Sequence, residues 1–136
     1  MSQVILLAAD HPLPLSPSRD RRLRTVSHPG GTLTVEEDGF SVAPNEYYQA
    51  AVEDLALTMK PCRYELDLRD TPHDLQHLRA YLTAHCTPGE QVELWNLWVG
   101  SEPPRVRRFS GRLTDFDRDT LQQLLERSQT CMTIEI

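Results

Sequence analysis

From residue 62 onward the chain switches repeatedly between two hydrophobic periods. CRYELDLR (62–69) puts Cys62, Tyr64, Leu66 and Leu68 on one side and Arg63, Glu65, Asp67 and Arg69 on the other. That is the two-residue period of a strand with one wet face, as in a sheet with helices on one side. TPHDLQHLRAYLTAHC (71–86) changes to helical spacing, with Leu75, Leu78, Tyr81 and Leu82 as its apolar stripe. Thr71 is placed to cap this helix and Pro72 to occupy its first position. QVELWNLWVG (91–100) and RVRRFSGRL (105–113) read as extended. TDFDRDTLQQLLERSQ (114–129) is helical again, opened by Thr114 and Asp117 as a variant capping box and burying Phe116, Leu121, Leu124 and Leu125. CMTIEI (131–136) alternates. Strand, helix, strand, strand, helix, strand is the order of a ferredoxin-like α+β unit, so residues 62–136 are expected to form that βαββαβ half.

The first 61 residues carry a different set of signals. VILLAA (4–9) is a short apolar run with the character of a buried strand, HPLPLSPSRD (11–20) is a Pro/Ser-rich loop, and RRLRTV (21–26) is compatible with a strand. Asp38-Gly39 between alternating arms predicts a two-residue hairpin turn. Pairing Glu37 with Phe40 there puts Leu33, Val35, Phe40 and Val42 on one face. Asn45 is placed to cap a helix over Glu46 to Met59, with Tyr48, Val52, Leu55 and Met59 as its stripe and Lys60-Pro61 as its stop. No linker divides the chain. A single domain over 1–136 is expected, with the strands, hairpin and helix of 1–61 extending or covering the antiparallel-rich sheet of 62–136.

One strand conflicts with that plan. QVELWNLWVG is apolar on both faces, with Val92, Leu94 and Trp98 on one and Trp95, Leu97 and Val99 on the other. The usual ferredoxin-like order places this strand at an edge, where a two-sided apolar strand invites aggregation. It therefore needs a cover, either the N-terminal hairpin or a partner subunit, and Trp95 and Trp98 become candidate interface residues. Their opposite parity sends at least one of them into the core.

Composition narrows the classes. The chain has 136 residues, 14 basic against 20 acidic, and a net charge of −6. A domain of this length buries enough surface to fold without a metal or disulfide, and no metal centre or cofactor is expected. The acidic balance disfavours nucleic acid or an anionic membrane as the main partner. Three scattered cysteines, Cys62, Cys86 and Cys131, suit a reducing compartment. The opening residues lack the basic leader of a signal peptide, and no apolar run is long enough to span a membrane. A cytoplasmic location is the expectation.

Candidate chemistry is sparse. Lys60 is the only lysine, and eight of the arginines fall in two groups, Arg19, Arg21, Arg22 and Arg24, and Arg105, Arg107, Arg108 and Arg112. Together they would suit phosphate or carboxylate. Alternatively they pair across strands, with Arg107 beside the Glu65/Asp67 face and others against Glu36-Glu37-Asp38. RNA binding is the weaker idea, since Phe109 alone does not make a stacking platform. His73 and His77 have a metal-compatible helical spacing but lie opposite the apolar stripe with nothing to complete a site. In His85-Cys86, neighbouring helical positions diverge by about 100°, so the thiol and imidazole do not form a nucleophile. Asp115, Asp117 and Asp119 stand at a helix start, where they complement the dipole. No glycine motif for phosphate is present.

The residues thus point to a small acidic α+β protein acting without catalysis, as a protein-binding module or through self-association along the Trp-rich strand. The binding candidates are Arg105, Arg107, Arg108, Trp95 and Trp98, with no catalytic residue. The alternative is a small-molecule or anion-binding domain, or a small enzyme, using the Arg105–Arg112 segment.

Overall fold

The computed structural model describes residues 2–16, 23–28, 31–36, 40–99 and 105–136. In chain order these form β1 (Ser2–Ala9), β2 (Leu23–His28), β3 (Gly31–Glu36), β4 (Ser41–Pro44), α1 (Gln49–Asp54), β5 (Cys62–Asp67), α2 (Pro72–His85), β6 (Gln91–Val99), β7 (Arg107–Arg112), a 3₁₀ turn (Leu113–Asp115), α3 (Arg118–Glu126) and β8 (Thr130–Glu135). The N-terminal apolar run decides the sheet. β1 lies between β5 and β6 and pairs antiparallel with both, Ile5 standing opposite Leu66 on one side and Asn96 on the other. The six-stranded order is β4-β5-β1-β6-β8-β7, and β2 and β3 make a separate two-stranded ladder.

This is a mixed α+β protein, and its strand order does not confirm the ferredoxin-like arrangement. There the second strand would be an edge. Here β6 is internal, held by β1 on one side and by β8 on the other. The crossover through α2 joins β5 to β6 with β1 inserted between them, while α3 joins the adjacent parallel strands β7 and β8. β7 therefore lies at the far edge from β5, with three strands between them, and Arg107 cannot pair with the Glu65/Asp67 face.

Both faces of the sheet are covered, which is why β6 is apolar on both. On one face α2 and α3 pack Leu78, Tyr81, Leu82, Leu121 and Leu124 onto Ile5, Leu7, Leu94, Met132 and Ile134. On the other, Val52 and Leu55 close over Val4, Leu6, Trp95, Leu97 and Val99, with Tyr48 and Met59 beside them. The segment after Asn45 thus buries the expected stripe, yet it is helical only over Gln49–Asp54. Its start is not an Asn45 cap, because the amide of Tyr48 donates to Glu65 Oε2 (3.1 Å). Its end comes early because Ala56 takes a left-handed conformation (φ 53°), which stops a helix.

Two further expectations change. The hairpin of 30–45 does not form between its two arms: β3 pairs with β2, from Leu23 opposite Glu36 to His28 opposite Gly31, whereas β4 pairs with β5. The Asp38-Gly39 turn lies outside the described residues. The last helix begins at Arg118 rather than Thr114, because Asp117 Oδ1 accepts the Thr120 amide (2.9 Å) and Thr114 sits in the preceding 3₁₀ turn. The α2 start is as expected, Thr71 Oγ1 accepting the Asp74 amide (3.1 Å) ahead of Pro72.

One polar residue ties these layers together. Asn96 is fully buried on β6, and its Nδ2 donates to the carbonyls of Leu124 (3.0 Å) and Arg127 (3.1 Å) at the end of α3. Its Oδ1 accepts from Gln3 Nε2 on β1 (2.8 Å). Asn96 thus closes carbonyls that a helix end leaves orphaned. Replacing it with Leu strands the buried Leu124 carbonyl, while the Arg127 carbonyl keeps the Thr130 hydroxyl (2.8 Å), and Asn96→Leu should cost about 1–3 kcal/mol. The measurement is a urea titration, in which the midpoint falls with the slope unchanged; a midpoint like that of the parent would contradict this role.

Candidate functional site

β7 is the outer strand of the sheet among the described residues, bonded to β8 from Arg107 opposite Thr130 to Arg112 opposite Glu135. Two apolar residues seat it. Phe109 packs toward α2 and α3, and Val106, just before the strand, packs into the opposite core. Arg105, Arg107, Arg108 and Arg112 are all exposed. Arg108 lies with its guanidinium carbon 5.1 Å from the centroid of the buried Trp95 ring, a cation–π contact that orients its head group. Of the sequence-predicted residues, Arg108 and Trp95 therefore meet, with Trp95 as the floor rather than an interface residue, whereas Arg107 shares the opposite parity of β7 with Phe109.

Trp95 is wholly buried and Trp98 is 37 % exposed. With β6 paired on both sides, no dimer can form by adding a strand to it, and that part of the expectation falls. Of the other arginine group, Arg19, Arg21 and Arg22 lie outside the described residues, and Arg24 belongs to β2.

The histidine pairs resolve differently from one another. His73 and His77 lie with ring centroids 4.1 Å apart on α2, their planes tilted by 48°. Asp74 between them turns inward, fully buried, and accepts the Arg69 amide (2.8 Å). His85 is exposed and meets Tyr81 edge-on at 4.8 Å, away from the buried Cys86.

Cys86 instead meets a histidine from the other end of the chain. Ala8 on β1 stands opposite Glu93 on β6, and continuing that register by three residues on each strand brings His11 to Glu90. Between Cys86 and Glu90, Thr87-Pro88-Gly89-Glu90 makes a turn closed by Glu90 N donating to Thr87 O (3.1 Å), with Gly89 at φ 93°. Proline then glycine at its centre are what a type II turn requires. The turn folds the Glu90 side chain back, so that Oε2 accepts the Thr87 amide (2.9 Å) and faces His11 Nε2 (3.1 Å). One ligating atom each from His11, Cys86 and Glu90 lies within 4.8 Å of the others, the only such trio found among the described residues. Sequence reasoning missed it because His11 and Glu90 are 79 residues apart. The Cys86–Glu90 half was signalled by the Pro-Gly turn; the His11 half needed the β1–β6 pairing.

The electrostatics of this trio are specific. His11 Nδ1 faces the Pro12 carbonyl at 3.0 Å and Nε2 faces Glu90. A neutral imidazole has one proton for these two acceptors, so the arrangement favours the imidazolium. The hydrogen bond to Glu90 raises the His11 pKa above 6.5, and the same bond lowers that of Glu90 below 4.5. Burial pushes the Cys86 thiol up to about 11, with the Glu90 charge adding to it. With both ring nitrogens engaged and the thiol held protonated, this is not a Cys-His nucleophile. Cys131 is pushed up to about 12 by burial, within the core.

Comparisons with protein-family models, with curated proteins and with solved structures give no match to this chain.

Two measurements test this geometry. Trp95→Ala should cost about 3–5 kcal/mol as a large core truncation, while Trp98→Ala stays within about 1 kcal/mol; equal costs in denaturant titrations would contradict the two placements. The His11–Glu90 pair contributes from above the lowered Glu90 pKa up to the raised His11 pKa, and is lost as pH rises through the latter. In an NMR titration the His11 ring should therefore titrate above 6.5 and move back down in Glu90→Gln; an unchanged midpoint in that variant would remove Glu90 as the cause.

Proposed function

We propose that this protein is a non-catalytic binding module whose outer strand β7 takes up an extended, acidic segment of a protein partner as an added strand. The observation that carries this reading is the unequal state of the two sheet edges. At the β4 edge, Ser16 bonds Val42 in both directions (N to O at 3.1 Å, O from N at 2.6 Å), and Pro44 has no amide to offer. That edge is closed by the chain itself. At the β7 edge, no described strand pairs beyond Arg107–Arg112, and the exposed side chains are Arg107, Arg108, Arg112 and Ser110.

Strand addition supplies main-chain hydrogen bonds, and the arginines supply the choice of charge. A second copy is a poor occupant. Two β7 strands paired antiparallel in register would set Arg107 against Arg112, and like charges facing each other are destabilising. The anion-binding alternative shares the same arginines but leaves the open main-chain edge without a role.

The test is binding to immobilised acidic, neutral and basic peptides of equal length. The acidic peptide should be retained, and Arg107→Glu/Arg108→Glu/Arg112→Glu should weaken it about tenfold, since three exposed ion pairs of about 0.5 kcal/mol each sum to that. Amide exchange at 107–112 should slow when the peptide is bound. Undiminished binding by the triple variant, or protection elsewhere, would refute the reading.

A further inference from the structure

We infer that His11, Cys86 and Glu90 form a binding site for one divalent transition ion of the zinc type, independent of the β7 edge. The donor set is nitrogen, sulfur and oxygen from His11 Nε2, Cys86 Sγ and a Glu90 carboxylate oxygen, already gathered within 4.8 Å of one another. This mixture suits a borderline ion such as Zn²⁺ rather than Mg²⁺ or Ca²⁺, which prefer oxygen alone. The charges also sum correctly, since a thiolate and a carboxylate neutralise a dication at a half-buried position.

The supporting shell is in place. His11 Nδ1 is directed at the Pro12 carbonyl (3.0 Å), the outer hydrogen bond that fixes which ring nitrogen faces a metal. Glu90 is oriented by the Thr87 amide (2.9 Å). A cleft of about 90 Å³ is lined by Ala9, Asp10, Gln91, Val92 and two of the three ligands, His11 and Glu90. It leaves room for a solvent molecule as the fourth ligand of a tetrahedral ion. Asp10 is not needed as that ligand, being paired with Lys60 Nζ at 2.6 Å. On binding, the ion displaces the thiol proton and the proton held between His11 and Glu90. The ion pair is thus the metal-free form of the same site.

The experiment is titration of the reduced full-length chain with Co²⁺, followed by displacement with Zn²⁺. One equivalent of Co²⁺ should give a thiolate-to-metal charge-transfer band, which Zn²⁺ removes. The band should vanish in Cys86→Ser and persist in Cys62→Ser and Cys131→Ser. In competition with a chromophoric chelator, His11→Gln and Glu90→Gln should each weaken Zn²⁺ binding at least about tenfold, the loss already typical of an outer partner. Both side chains are only partly buried, so these two variants keep the test decisive should Cys86→Ser fold poorly. Absence of the band in the parent, its survival in Cys86→Ser, or unaltered Zn²⁺ affinity in both other variants would overturn the inference.

Discussion

Everything in this molecule depends on placing six consecutive apolar residues, Val4 to Ala9, where no edge and no face of their strand meets water. Each of the six is at most 7 % exposed. A strand of that kind must be bonded on both sides and covered above and below. β5 and β6 satisfy the first demand, and α2 with α3 on one face and the Tyr48–Met59 region on the other satisfy the second. The two-sided hydrophobicity of β6 follows from the same demand, since its neighbour in the middle of the sheet shares both covers.

The edges follow from what remains. β4 is short and ends in proline, and the loop after β1 folds back to bond it through Ser16. Its first residues are anchored, Leu13 N donating to Tyr64 Oη (2.7 Å) and Tyr81 Oη to Pro14 O (2.6 Å). The same loop begins with His11, so the segment that seals one edge also brings the imidazole to Cys86 and Glu90. β7 is left as the outer strand among the described residues, seated inward by Phe109 and Val106 and carrying exposed arginines.

What the sequence made legible was local. The strand at 62–67, the α2 start at Thr71-Pro72 and the apolar stripes of α2 and α3 were all readable, because period and capping are set by neighbours a few residues away. What it hid was non-local. Nothing in VILLAA says that it will split the β5–β6 pair, and that one insertion removes the ferredoxin-like edge, moves Trp95 indoors and separates Arg107 from Glu65. The pairing of arms expected around Asp38-Gly39 was overturned, since β3 found β2 and β4 found β5. The His11–Cys86–Glu90 trio was half visible, in the Pro-Gly turn. Its other half existed only once β1 had been placed.

The position of β1 also governs how the chain comes together in time. It is synthesised ahead of both its partners, which follow roughly sixty and ninety residues later. Until β6 has emerged, the six apolar residues have no complete shelter, and no local hairpin can provide one. Assembly must therefore wait on long-range closure, a slow step that leaves a sticky segment exposed on the nascent chain. The strand that is most protected in the finished protein is the one most dependent on protection while it is being made.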